Sequence, residues 1–277
     1  MSTQKVLFIT GVSSGFGRAL AQRALGAGHR VVGTVRTHDA RDAFDRWHPG
    51  NAFGRVLDVT DFGAIPSAIA EVEATVGPID VLVNNAGYGH EGVMEESSLE
   101  DMRRQFDVNV FGAVAMMKAV LPFMRQRRRG HLINITSMGG FITMPGITYY
   151  CGSKFALEGI SEALGQEVKA LGIAVTAVAP GSFRTDWAGR SMVRSARSIA
   201  DYDAVFDPIR AAREAKSGQQ LGDPDKAAVA LLRLIESDAP PAHLLLGSDA
   251  VTLVRDKLNA MSADIAAWES VSRSTDH

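Results

Sequence analysis

Short runs dominated by Val, Ile and Leu recur along the chain, separated by longer stretches whose apolar residues return every three or four positions. The runs are KVLFIT (5–10), RVVGTV (30–35), FGRVLDV (53–59), DVLVNN (80–85), HLINIT (131–136), IAVTAVA (173–179) and HLLLG (243–247). Most lack the in–out alternation of a half-exposed sheet, which is how parallel strands covered on both faces read. The stretches 15–28, 39–47, 61–76, 99–128, 149–171 and 223–237 have helical period, and 99–128 is long enough for two helices. Strand–helix units repeated at this length predict a doubly wound α/β sheet. Ligands in such sheets bind beyond the carboxyl ends of the strands, where the winding reverses, so functional residues are expected just after strands.

No linker, repeat or composition break divides the chain, and residues 1–277 read as a single dinucleotide-binding and catalytic domain. Two segments depart from the alternation: a long insertion at 184–222, and a tail at 248–277 ending in a helix that carries Trp268. Composition adds little: 46% hydrophobic and 22% charged residues are the balance of a soluble globule. A net charge of -2 gives no field favouring nucleic acid or an anionic membrane. The basic run RQRRR at 125–129 reads as the solvated end of a helix, where cations offset the backbone dipole. One cysteine, Cys151, excludes an internal disulfide and a Cys-rich metal site, and no metal is expected. The N-terminus lacks the features of a signal peptide, and no stretch is read as reaching the roughly 20 apolar residues that span a bilayer. The expectation is a soluble cytoplasmic protein.

Candidate chemistry begins at TGVSSGFG, where Gly11, Gly15 and Gly17 lie between the first strand and a helix. Such a turn lets backbone approach a pyrophosphate, whose charge meets free amides at the helix N-terminus. Ser13 and Ser14 add hydroxyl donors, and Phe16 lies within the same turn. Further on, TYYCGSK offers two tyrosines and a lysine at 148–154. On a helix Lys154 shares a face with Tyr150, four residues earlier, while Tyr149 points elsewhere. A nearby ammonium favours a phenolate, so Tyr150 is the tyrosine suited to acid–base work. Cys151 has no histidine beside it and reads as packing.

The spacing G-x-x-x-G-x-G, the NNAG at 84–87 and the Y-x-x-x-K of Tyr150 and Lys154 together resemble the short-chain dehydrogenase/reductase family, from about residue 5 to about 247. The resemblance implies a Rossmann-type sheet of about seven mainly parallel strands and an NAD(P)-dependent oxidoreductase interconverting C=O and CH-OH groups. It assigns a serine that anchors the substrate oxygen to Ser137, and the fourth catalytic position, supporting proton resupply through a water, to Asn109. Cofactor contacts carried over are Asp58 and Val59 at adenine, Asn85, Ala86 and Gly87 along the ribose, and Tyr150 and Lys154 themselves. In APGSFRTD the P-G-x-x-x-T pattern adds Pro180, Gly181, Phe183 and Thr185 beside the nicotinamide.

Cofactor choice turns on the end of the second strand. Val35 stands where NAD-specific relatives carry Asp, and Arg36, which follows, suits a 2′-phosphate. NADP(H) is therefore preferred; Asp39 leaves NAD(H) open. Met94, Phe141, Met144, Trp187, Met192, Tyr202 and Phe206 suggest a small to medium hydrophobic carbonyl or alcohol as substrate, or simply a closed core. His90 and Glu91 read as a solvated loop, or as contacts to a polar group of the substrate. A homodimer through the helices at 108–128 and 149–171, or a homotetramer, is expected. The alternatives are a non-catalytic cofactor-binding sensor, a sugar-nucleotide epimerase and an interaction protein; the first and last have no use for the reactive residues.

Overall fold

Val, Ile and Leu on both faces of most strands leave the sheet no stable state except between two helical layers. In the computed structural model, which describes residues 4–185, 187, 189 and 191–276, seven strands make one parallel sheet. They are β1 (Val6–Ile9), β2 (Arg30–Val35), β3 (Ala52–Val56), β4 (Val81–Asn84), β6 (Gly130–Ile135), β7 (Ile173–Pro180) and β9 (His243–Leu246), ordered β3-β2-β1-β4-β6-β7-β9. The chain winds outward from β1 to β3, then returns to β4 and winds the other way. The crevice between β1 and β4 is therefore the switch point.

Alternate residues of β1 enter different cores. Leu7 and Ile9 pack with α1 (Gly15–Gly26) and α8 (Pro224–Ile235) on one face, through Leu20, Ala24, Leu231 and Ile235. Val6 and Phe8 pack on the other with α3 (Ile65–Thr75) and α5 (Gly112–Arg127), through Ile69, Val72, Met116 and Val120. The remaining helices around the sheet are α2 (His38–Asp45), α4 (Leu99–Phe106) and α6 (Thr148–Val168). Helix starts follow the sequence: Thr37 caps α2, Ser98 caps α4, and Asp223 caps α8 ahead of Pro224.

Between α4 and α5 the chain makes a π-helical turn, Asp107–Phe111, so Leu99–Arg127 runs without a break. This corrects the expectation that no stretch is long and apolar enough to span a bilayer: these 29 residues reach a mean hydropathy of 1.4 over their best window. Here their apolar side chains Met116, Met117, Val120 and Met124 are buried against the sheet. The basic run at 125–129 is mostly exposed, as expected, with three of its arginines bonding back to the fold. Arg127 bonds Glu73 and the Ile79 carbonyl, Arg128 the Ala170 carbonyl, and Arg129 Asp80.

The insertion is more ordered than its sequence suggests. Within it β8 (Met192–Arg194) pairs in parallel with β5 (Gly89–Glu91), and α7 (Asp203–Ala215) follows. Residues 186, 188 and 190 of this segment, with 1–3 and 277 at the termini, lie outside the described residues. The tail forms α9, Ser248–Arg273.

Candidate active site

At the switch point the glycine turn closes on the β4 loop. Gly11 and Gly15 have φ of +73° and +56°, which side chains rarely adopt. A Cβ at Gly17 would sit 2.2 Å from the Gly11 carbonyl oxygen, so only glycine lets α1 start this close to β1. Asn85 locks the arrangement, its Nδ2 donating to the Thr10 and Gly11 carbonyls at 2.8 and 2.9 Å. Deeper in, Asn84 Nδ2 donates to Asn134 Oδ1 across the β4–β6 register at 2.9 Å.

Ser14 stands at the N-cap of α1 without a side-chain capping bond, and no acidic residue lies in the first turn. That helix end keeps amide donors and its positive dipole for a ligand. A cleft of about 470 Å³ opens there, lined by Ser13, Ser14, Gly15, Arg18 and Thr185. Phe16 meets Phe183 edge-on at 5.0 Å, joining the glycine turn to the turn after β7. These residues fit a dinucleotide: free amides, hydroxyls and arginine suit a pyrophosphate, and the glycines allow its approach.

Around the adenosine end the geometry is more open. Arg36 is exposed, and no hydrogen bond or ion pair engages it among the described residues. Val35 is buried, and Asp39 lies in the first turn of α2, where a carboxylate offsets the helix dipole. Asp58 is exposed and accepts from the Thr60 amide and hydroxyl through Oδ1, while Val59 is buried against Gly112.

The four residues expected to be catalytic gather at the ends of β4 and β6 and on α6. All are buried: Asn109, Ser137, Tyr150 and Lys154. Ser137 follows β6; its Oγ accepts from the Gly139 amide at 3.0 Å, and its hydroxyl partly offsets the effect of burial on the Tyr150 phenol. Lys154 Nζ donates to the Ile135 carbonyl at 2.9 Å and lies 5.7 Å from the centre of the Tyr150 ring. Asn109 sits in the π-helical turn and brackets Tyr88, accepting from its amide and donating to its carbonyl, both at 3.1 Å. A Cβ on Gly87 would meet Asn109 Oδ1 at 3.1 Å and Lys154 Nζ at 3.8 Å. The β4 loop, the π turn and α6 thus converge on one point.

The electrostatics depart from one expectation. Lys154 was expected to draw the Tyr150 phenol down, yet burial pushes it up to about 12, and Lys154 is not among the groups that move it. The lysine's Nζ is committed to the Ile135 carbonyl, and its own pKa falls to about 8 through burial, partly offset by Glu158. Desolvation by burial is the largest cause of both shifts.

After β7, Pro180 ends the strand and the Gly181 amide donates to the Leu246 carbonyl at 2.8 Å. Sequence reasoning missed Asp249, in the first turn of α9. Its Oδ2 accepts from the Ser182 amide at 2.7 Å, and a Cβ on Gly181 would collide with it. The signal was faint: one acid after the last strand, 67 residues from its partner.

Facing the phenol is a mostly apolar wall. Trp187 lies 5.0 Å from the Tyr150 ring, and Met144, Ile147 and Cys151 join the same cluster. Met192 packs over Gly89 beside Trp187. Cys151 is buried, and burial raises its thiol pKa. Other expected substrate contacts are elsewhere: Phe206 is buried over Gly146, Met94 is 62% exposed, and Tyr202 bonds Glu95. His90 and Glu91 are no solvated loop, because the β5–β8 pairing covers them. His90 stacks on Tyr149 and contacts Ser195 at 3.0 Å; Glu91 is paired with Arg194 at 2.7 Å and with Arg213.

Comparison with known proteins places this geometry. The family model for short chain dehydrogenase matches residues 5–194. A short-chain dehydrogenase from Streptomyces avermitilis superposes with a TM-score of 0.91 at 39% identity, covering 100% of both chains. Oxidoreductase BOA17 of Botryotinia fuckeliana is 36% identical over 97% of this chain and 98% of its own length. The 3-ketodihydrosphingosine reductase of Bacteroides thetaiotaomicron is 36% identical over 88% of each.

Proposed function

The chain belongs to the short-chain dehydrogenase family and is an NAD(P)-dependent oxidoreductase; from that premise we propose that it uses NADP(H) to reduce a ketone or aldehyde on a small to medium, hydrophobic substrate. The observation that carries this reading is the convergence of Ser137, Tyr150, Lys154 and Asn109 on one buried point beneath an apolar wall. The cytoplasm, where reduced NADP is available, is the proposed location.

When bound, the nicotinamide supplies or accepts the hydride. Ser137 holds the substrate oxygen and stabilises charge developing there. Tyr150, kept protonated at neutral pH by its burial, donates its proton to that oxygen as the carbonyl carbon is reduced. Lys154 would hold the ribose, and the charge of an oxidised nicotinamide bound there would favour the phenolate in the reverse direction. Asn109, beside Lys154 and Gly87, orders the path by which the proton is replaced. Arg36 meets the 2′-phosphate, and the α1 N-terminus with Ser13 and Ser14 meets the pyrophosphate.

Trp187, Met144 and Met192 give the substrate side its apolar character. The Bacteroides relative is named for the reduction of a ketone, 3-ketodihydrosphingosine, which supports a carbonyl as the reacting group. A groove between the outer faces of α5 and α6, lined by Val114, Leu121, Ile160 and Leu164, supports a homodimer through these helices.

The test is a panel of apolar ketones and aldehydes with NADPH, read at the nicotinamide absorbance. Tyr150→Phe should reduce turnover by about 10²–10⁴-fold while leaving NADPH affinity within a few-fold. A variant as fast as the wild type on its best substrate overturns the mechanism. Cofactor binding with no turnover across the panel favours the sensor reading instead.

A further inference from the structure

From Arg255 to Asp276 every residue of the tail is exposed; only Ala250 and Val254, in its first two turns, are buried in the fold. The 26-residue α9 is about 39 Å long. Helical segments of this kind are marginal in water unless one face is packed, so α9 needs a partner.

The pattern on its surface says what kind. Val251, Val254, Leu258, Met261, Ile265 and Trp268 follow alternating steps of three and four, the spacing of a coiled-coil seam. Leu258, Met261, Ile265 and Trp268 are 55%, 45%, 67% and 65% exposed. A membrane surface fits poorly: over 248–276 there are five acidic residues against three basic ones, the wrong balance for anionic lipid.

The charges beside the seam single out a second copy of this chain and its direction. In a parallel pair Asp264 would face Glu269 of the second copy, a repulsion made twice. Antiparallel, with Leu258 against Trp268 of the second copy, Asp264 would face itself. Antiparallel with Leu258 against Met261 of the second copy instead sets Lys257 beside Asp264, twice by symmetry. In that register Trp268 reaches the first turn of the other helix, where Val251 is 37% exposed. We infer that α9 is a homotypic docking helix that pairs antiparallel with α9 of a second copy about a two-fold axis between Leu258 and Met261. A contact of this form is self-complementary and closes.

Sedimentation equilibrium of the full chain tests it. Leu258→Asp with Ile265→Asp should halve the mass seen at micromolar concentration, with NADPH binding unchanged as proof of folding. Lys257→Asp should weaken association about 10-fold, and Lys257→Asp with Asp264→Lys should restore it, since the exchanged pair reforms only between two copies of this chain. Equal masses for the wild type and the Leu258→Asp/Ile265→Asp variant overturn the proposal. So does failure of the charge exchange to restore what Lys257→Asp loses. Co-sedimentation of the wild type, but not the double Asp variant, with phosphatidylglycerol vesicles at unchanged mass also overturns it, in favour of a lipid surface.

Discussion

Lys154 is held where its charge is expensive. Its pKa of about 8 lies well below the ordinary 10.5 of an exposed lysine, because burial disfavours the ammonium more than Glu158 restores it. Between those two values the unfolded chain binds more protons than the folded one, so this group's contribution to stability rises with pH across that window. Below about pH 8 the full penalty applies, on the order of 3 kcal/mol for the shift. Lys154→Met should therefore unfold at higher denaturant than the wild type at pH 7, and the gap should narrow toward pH 10. The same variant should lose both NADPH affinity and turnover. A less stable variant at pH 7 would mean that the lost bond to the Ile135 carbonyl outweighs the relief of charge. That Tyr150 and Lys154 belong together was legible from their spacing alone. That burial dominates both pKa values was not, because desolvation depends on the side chains closing over the pair, among them Trp187.

The elements read from the hydrophobic pattern recur within a few residues, because continuous apolar runs and helical periods are local properties. What escaped depends on partners far along the chain. β5 and β8 are three residues each, too short to show any period, and exist because residues about a hundred apart meet. Their sequences, with His90, Glu91 and Arg194, look like loop. The π turn is equally silent: DVNVF has an ordinary helical composition, yet the extra residue in the turn brings Asn109 against Gly87 and Tyr88. The short pair has a measurable anchor. Glu91 is 1% exposed and neutralised by Arg194 and Arg213, so its removal takes away the buried carboxylate between them, although Arg194 still meets Glu214. Glu91→Ala should cost about 3 kcal/mol in the cooperativity unit that contains the insertion. Hydrogen exchange checks this: amides of β8 and α7 should lose protection while those of β1, β4 and β6 keep theirs. Equal loss everywhere would mean the insertion unfolds only with the whole sheet.

Across the whole molecule, the reversal of winding beside β1 puts the glycine turn, the β4 loop and the end of β6 on one edge. A dinucleotide bound along that edge, as proposed, would touch segments from Gly11 to Thr185 and bind only the folded chain. Its affinity is then readable as global stability, growing as RT ln(1 + [L]/Kd), or about 2.7 kcal/mol at a hundred times Kd. The proposed NADP(H) preference rests at this edge on Arg36, exposed and unengaged among the described residues, next to the buried Val35. NADPH should raise the unfolding temperature more than NADH at equal concentration, because a bidentate guanidinium–phosphate contact is available only to the former. Arg36→Ala should bring the NADPH shift down to the NADH value, a loss of about 10-fold or more in affinity, without altering the protein's melting temperature when no cofactor is added. Should NADH give the larger shift in the wild type, Asp39 at the start of α2 would be the group that selects the cofactor, by accepting from the ribose hydroxyls.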